Sequence, residues 1–399
     1  MVGSRLWQGL LAGLAAFPVL AGFGEVEDGA RQDCPQKAER SVPMGSVTEI
    51  ADGEPPCRIQ FFATGVRLEA VADGSRPDPG RTVLVDSDGR FISANAVGWD
   101  GVISVWDSRG EYLRSFGRVG EGPGEFSARG MMNLIIDGRD RLHVRDGAPR
   151  WSVFTPEHEF IRRVPANVMG GLFGTTVILD DGSAVNGMKY QDVAHQFRLV
   201  DSTGVLQRGF GPVGDERVST RRYITYAGGD TFWAAPPAGG SDAYVLEEWG
   251  IDGELRQTLR RDVTWWRWRR DGGASTQVHR LHVASDGLLY TLVWRPTDEY
   301  GKEIERLERG LERVGGELMW TPEAMTERSR LGDELTEHAV EVIDTRTGQL
   351  LASEVFTQSR AQEIVPRAFF RGSLRGYRYL VGEDGLPFVE IVTLELVAR

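Results

Sequence analysis

Phe116-Gly117-Arg118-Val119-Gly120-Glu121-Gly122-Pro123-Gly124-Glu125-Phe126 is the stretch whose reading decides the fold. Before it, Val102 to Arg114 forms two strand-like runs joined by Asp107-Ser108-Arg109-Gly110, and after it Met131 to Val144 forms another pair joined by Asp137-Gly138-Arg139-Asp140. Gly120-x-Gly122-x-Gly124 invites a phosphate-loop reading, but that chemistry needs glycine N–H groups at the start of a helix that follows a strand. Here another β-run follows, Pro123 removes a donor, and no Lys-Ser/Thr pair is present. The stretch therefore reads as a turn connecting two β units, with Phe126 as an anchor between them. Phe210-Gly211-Pro212-Val213-Gly214 is a degenerate echo of it.

Working outward, the unit recurs. First turns fall at Asp88-Gly89, Arg139-Asp140, Asp181-Gly182, Gly229-Asp230, Asp286-Gly287 and Asp384-Gly385. Second turns fall at Arg109-Gly110, His158-Glu159, Thr203-Gly204, Asp252-Gly253 and Thr347-Gly348. A tight hairpin needs positive φ, which glycine supplies without steric cost. Flanking residues alternate as half-buried strands do, with Ile103 and Val105 on one side and Ser104 and Trp106 on the other. The interval from first to second turn is similar in four units and roughly 40 residues longer in the fifth. An insertion is expected there, over 297–338, and Tyr300, Ile304, Leu307, Leu311 and Val314 recur in it at helical spacing.

The last unit is short of strands. Tyr377 to Val381, Phe388 to Ile391 and Leu394 to Val397 supply at most three, and the last two could be one. The unassigned run from Ile59 to Leu68 is expected to complete that unit, joining both ends of a ring and removing exposed strand edges.

Composition agrees with an all-β chain: 399 residues, 41% hydrophobic, with 50 glycines. A formal net charge of -12 argues against nucleic-acid binding, which calls for a basic stripe. At the start, Arg5 precedes a mostly apolar Leu6 to Leu20, and Val19-Leu20-Ala21 offers the small residue a signal peptidase needs. Residues 1–24 thus read as an export signal, with an uncleaved anchor as the competing reading. Residues 25–56 read as a linker or extended arm, and 57–399 as the repeat domain. Only Cys34 and Cys57 are present; in an oxidising compartment they could bridge, and neither resembles a zinc ligand.

With these residues laid out, the chain resembles the bacterial exported six-bladed β-propellers related to NHL repeats, the TolB-like propeller group. The resemblance rests on Gly117 to Phe126, on Leu142-His143-Val144-Arg145-Asp146 with Arg150-Trp151-Ser152-Val153-Phe154, on Asp286-Gly287-Leu288-Leu289-Tyr290 with Trp294, and on Glu383-Asp384-Gly385-Leu386-Pro387. It implies six four-stranded antiparallel blades and export to a periplasmic or extracellular location; a monomer is expected. Six-bladed relatives include lactonases and amidating lyases that bind Ca²⁺ or Zn²⁺ in the central channel, so Asn133, Asp137, Asn186 and His282 are channel candidates here. Carboxylates do not match at the equivalent positions of other units. His279 and His282 point to opposite faces of a strand and cannot share one ion without distortion.

The most unusual patch is Trp265-Trp266-Arg267-Trp268-Arg269-Arg270. Interleaved aromatic and guanidinium groups can stack on sugars or anionic headgroups; equally, tryptophans can pack inward beneath covering arginines. The expected function is a binding scaffold for a protein or glycan, without cofactor and without an integral membrane domain once the signal is removed. The alternatives are a metal-dependent hydrolase or lyase working in the channel, and a glycan- or envelope-binding protein using Trp265 to Arg269.

Overall fold

The computed structural model describes residues 34, 45–50, 53–71, 74, 77–94, 101–128, 130–165, 175–187, 195–213, 222–237, 242–267, 274–311, 313–314 and 317–399. The segment read as an export signal and the side chains of Trp268 and Arg269 lie outside the described residues.

Two strands, β1 (Ser46–Ile50) and β2 (Cys57–Glu69), precede the repeats. The first sheet holds β3 (Thr82–Val85), β4 (Phe91–Ala94), β5 (Ile103–Trp106) and β6 (Tyr112–Phe116). The second holds β7 (Met131–Ile136), β8 (Leu142–Asp146), β9 (Arg150–Phe154) and β10 (Phe160–Pro165). The third holds β11 (Thr176–Ile178), β12 (Ala184–Asn186), β13 (His195–Val200) and β14 (Leu206–Val213). The fourth holds β15 (Ile224–Gly228), β16 (Thr231–Ala234), β17 (Tyr244–Gly250) and β18 (Leu255–Arg261). Within each, consecutive strands pair antiparallel.

β1, inside the stretch read as a linker or arm, lies parallel to β18 and runs from Ser46 opposite Gln257 to Ile50 opposite Arg261. The chain continues through β19 (Gln277–Val283), β20 (Leu288–Pro296), α1 (Asp298–Arg309), the hairpin β21 (Arg313–Val314) and β22 (Glu317–Leu318), α2 (Pro322–Leu335), β23 (Thr336–Asp344) and β24 (Gln349–Thr357). It ends with α3 (Gln358–Ile364), β25 (Ala368–Phe369), β26 (Arg375–Val381) and β27 (Pro387–Ala398).

This is an all-β propeller of four-stranded antiparallel blades, with three helices among the described residues. The expectation of six separate blades needs correction. Four sheets stand alone, while the strands expected to form a fifth and a sixth blade run into one eight-stranded sheet of order β19-β20-β23-β24-β2-β27-β26-β25. The reason is the opening strand. β2 pairs antiparallel with β27, Phe61 opposite Leu394 and Leu68 opposite Val389, and it also touches β24 in parallel through Cys57 and Ala352. The two runs expected between Phe388 and Val397 are one strand, since β-branched Val392-Thr393 gives the chain no reason to turn.

The strands are short because the same local device ends most of them. The Asp107 carboxylate accepts the backbone N–H of Arg109 at 2.9 Å and of Glu111 at 2.8 Å, while Gly110 takes φ 89° and donates to the Asp107 carbonyl at 3.0 Å. Asp201 repeats this with Thr203 at 2.9 Å and Val205 at 3.0 Å. These bonds to the charged form hold the Asp107 and Asp201 carboxyls below their ordinary range; the leading donors are the Glu111 N–H and the Thr203 hydroxyl. In the second repeat the left-handed positions fall to Asp140 (φ 56°) and His158 (φ 69°). His158 is held there by its neighbours: its ring stacks on Phe116 at 4.7 Å, and its Nδ1 accepts from Arg114 at 2.9 Å.

The Phe116–Phe126 stretch is the expected turn between sheets. Gly120 donates to the Phe126 carbonyl at 2.8 Å, Phe126 donates to the Arg118 carbonyl at 2.9 Å, and Gly122 donates to the Glu125 carboxylate at 2.7 Å. Gly117 has φ 87°, and a Cβ there would lie 2.4 Å from the Phe126 ring. Phe126 is fully buried in a cluster with Ile103, Leu134, Leu142 and Phe154, so it joins the first sheet to the second.

Comparable clusters lie between each sheet and the next. One packs Trp151 and Val153 on Ile178 and Ala184; another packs Phe197 and Phe210 on Phe232 and Trp249; a third packs Trp233, Tyr244 and Leu259 on Val278 and Leu289. The cluster of Leu68, Val83, Phe91, Trp106, Val389 and Ile391 sets β2 and β27 against β3, β4 and β5, so the last strand packs on the first sheet.

Cys34 and Cys57 form a disulfide with Cα atoms 5.9 Å apart, closing a separation of 23 residues. Cys57 is buried at the junction of β24, β2 and β27. The bridge therefore tethers the segment before β2 to the strand that joins the two ends. Reducing it, or replacing Cys34 with Ser, is expected to cost about 3 kcal/mol. Urea midpoints measured with and without reductant check this, and Cys34→Ser should show no further loss on reduction.

Candidate functional site

Six strands contribute to an axial channel: Leu84 and Val85 of β3, Leu134 to Ile136 of β7, Thr176 to Ile178 of β11, Ile224 to Tyr226 of β15, His282 and Val283 of β19, and Phe369 of β25 with Phe370 to Gly372 after it. The cavity is about 190 Å³ and its walls are mainly aliphatic and aromatic. Arg371 crosses it. Nη1 donates to the carbonyls of Ile136 at 3.2 Å and Ile178 at 3.3 Å, Nη2 pairs with Asp180 at 2.6 Å, and the guanidinium lies 4.0 Å from the centre of the Tyr226 ring. One side chain from the turn between β25 and β26 thus ties together the ends of β7, β11 and β15. Its neighbour Gly372 accepts from Ser285 N–H at 3.0 Å, which fixes the turn against the end of β19.

Of the channel candidates, His282 lines this cavity and Asn133 and Asn186 do not. Nε2 of His282 donates to the Ser373 carbonyl at 2.7 Å, and the ring stacks on Phe369 at 5.2 Å. Asn133 is buried on β7, and buried Asn186 donates to the Thr176 hydroxyl at 3.2 Å. Asp137 serves its hairpin, accepting from Arg139 N–H at 2.9 Å, Arg141 Nε at 2.7 Å and His143 Nε2 at 2.9 Å. Burial pushes its carboxyl up, but the His143 bond and the backbone donors outweigh this and hold it below its ordinary value. Among the described residues no three His, Cys, Asp or Glu side chains converge as a metal-binding group.

Trp265 and Trp266 pack against the cluster around Tyr244, Trp266 stacking on that ring at 4.8 Å and 9°. Arg295 covers Trp265 at 4.7 Å. Arg267 is half exposed and pairs with Asp298 of α1 at 3.2 Å. His279 stacks on Trp294 at 5.4 Å, and His338 meets it edge-on at 6.2 Å.

A larger hollow, about 940 Å³, opens between β19, β20, α3 and β26. Tyr223, His279, Arg280, Trp294, His338 and Arg367 are among its lining residues, with Leu292, Val365 and Leu380 forming an apolar wall. The Arg280 guanidinium donates to the Pro366 carbonyl. Nδ1 of His338 is buried without a hydrogen-bond partner. Sequence reasoning missed both Arg280 and Arg371; a charged residue inside the strand Gln277-Val278-His279-Arg280-Leu281-His282-Val283 was the available signal for the first.

Burial lowers His158, His282 and His338 to about 4 from an ordinary 6.5, with the Arg114 charge adding to it at His158 and the Arg280 charge at His338. The Ser373 carbonyl opposes the shift at His282 without overcoming it. The unfolded chain therefore takes up protons below pH 6.5 that the folded chain refuses until about pH 4. Stability present above pH 6.5 is lost progressively as pH falls through that window. Melting temperature should drop between pH 7 and pH 5, and replacing all three histidines with Gln should flatten the slope.

No family model matches the chain, and no curated protein does. Solved structures do. A protein of Bacteroides fragilis described as exported superposes with a TM-score of 0.52 at 11% identity, over 89% of this chain and 99% of that one. Virginiamycin B lyase from Staphylococcus aureus gives 0.41 at 11% identity, over 86% of this chain and 100% of the other. The WD40 β-propeller domain of Doa1 gives 0.36 at 9% identity, over 84% and 97%. At these identities the likeness concerns the fold, and with the sheet topology it makes this chain a β-propeller.

Proposed function

We propose that the chain is an exported, monomeric six-bladed propeller that acts as a binding scaffold rather than a catalyst. Counting six treats the eight-stranded sheet as two blades fused through β2; support comes from the six inner strands that share the channel. The observation that carries the scaffold reading is Arg371. The axis, where inner strands could converge a catalytic set, holds apolar walls and an arginine engaged by Asp180, two carbonyls and an aromatic face. What remains for recognition lies off the axis, in the loops and hollows carried on the sheets. No helix among the described residues is long and apolar enough to cross a membrane.

The test is thermal. Melting temperature should be the same with Ca²⁺, with Zn²⁺ and after chelation. A rise of several degrees with either ion would favour a metal-dependent hydrolase or lyase instead. Cell fractionation should place the protein outside the cytoplasm.

A further inference from the structure

The hollow beside α3 is built around a cation without a counter-charge. Four other arginines of low exposure are each paired with a carboxylate: Arg261 with Glu341 at 3.0 Å, Arg222 with Glu247 at 2.7 Å, Arg141 with Asp137 at 2.7 Å, and Arg378 with Glu390. Arg280 has no carboxylate partner among the described residues. Its guanidinium reaches only the Pro366 carbonyl, and a second cation, Arg367, acts on it with burial to disfavour its charge. Burial pulls its pKa down. Arg367 is exposed at the edge of the hollow, and its side chain has no ion pair among the described residues. Nδ1 of His338 and the Tyr290 hydroxyl are also buried without hydrogen-bond partners, and both side chains interact with Arg280.

An arginine taken from water without an anion is costly, and a carboxylate presents the two oxygens its planar fork is shaped to hold. The volume, about 940 Å³, is that of a small-molecule site rather than a pocket for a simple ion. We infer that this hollow binds a carboxylate-bearing organic ligand, its carboxylate held between Arg280 and Arg367 and its carbon body against Leu292, Trp294, Val365 and Leu380. The inference rests on the scaffold reading and gives it a ligand class. Glu363 is the one carboxylate lining the hollow, and it pairs with Arg360 at 3.1 Å, which leaves Arg280 and Arg367 to the ligand.

Calorimetric titration of the full protein with oligogalacturonate, citrate, inorganic phosphate and neutral maltotriose tests it. Saturable binding of oligogalacturonate or citrate is expected, weakened about tenfold or more by Arg367→Met, whose exposed site leaves the fold intact, and by Arg280→Met. Oligogalacturonate alone would identify an acidic glycan as the source; citrate, alone or as well, a small organic acid. Absence of carboxylate binding, phosphate bound as tightly as carboxylate, or binding unchanged in both variants would overturn the assignment. The scaffold reading would survive such a failure if melting stayed insensitive to metal, so the two can fail separately.

Discussion

A chain lacking Cys57–Glu69 is expected to show no cooperative unfolding transition. β2 supplies one side of the main-chain ladder of β27, from Cys57 opposite Ala398 to Glu69 opposite Phe388. Without it, β27 and β24 become exposed strand edges. The loss is also one of packing. Leu68 is fully buried against Val83, Phe91, Trp106, Val389 and Ile391, and Ile59 sits with Leu351, Val342 and Leu394. Each such side chain stabilises by about 1.5–3 kcal/mol, and the whole domain stands only about 5–15 kcal/mol above its unfolded state. The point variant Leu68→Ala should cost about 2–5 kcal/mol. Circular dichroism melts compare the three chains, and a synthetic 57–69 peptide should restore amide protection along β27. A deletion that melts within a few degrees of the intact protein would show that the ends of the chain are not held together by β2.

Arg261→Ala should destabilise by about 3–5 kcal/mol. Arg261 closes β18 and Glu341 lies on β23, so the pair links the fourth sheet to the eight-stranded one. Nη2 and Nε lie 3.0 and 3.3 Å from the same carboxylate oxygen, and the two side chains are 4% and 0% exposed. Burial raises the Glu341 carboxyl above its ordinary range even though Arg261 opposes the shift. With the arginine gone, the carboxyl would be raised further. A group whose folded pKa lies above its unfolded value destabilises most at high pH, so the deficit should shrink as pH falls from 8 toward 5. Replacing both partners, Arg261→Met with Glu341→Leu, should recover most of the loss. Urea midpoints at two pH values distinguish this from a simple packing defect, which would cost the same at both.

Much of the fold is legible in local chemistry. Asp107 and Gly110, or Asp201 and Gly204, make their turns from groups within four residues of each other, so the sequence alone announces where strands end. The helical insertion is visible in part: α1 begins where the Thr297 hydroxyl accepts Tyr300 N–H and holds Tyr300, Ile304 and Leu307, but it ends at Arg309, so Leu311 and Val314 of the expected stripe lie beyond it, Val314 in β21. Closure by β2 was legible by subtraction, since the last repeat lacks a strand. The short α3 was not: seven residues with one buried side chain give too little periodicity to read.

What the sequence by itself determined is thus the repeat, its punctuation and the strand that joins its ends. Only the tertiary structure decided that β19, β20 and β23 to β27 share one sheet with β2, that Arg371 meets partners 191 to 235 residues away, and that Arg280 shares a hollow with Arg367. The physical reason is range. A turn is settled by φ angles and hydrogen bonds among adjacent residues, whereas the charge and the lining of a cavity depend on which distant strands the closed ring brings face to face.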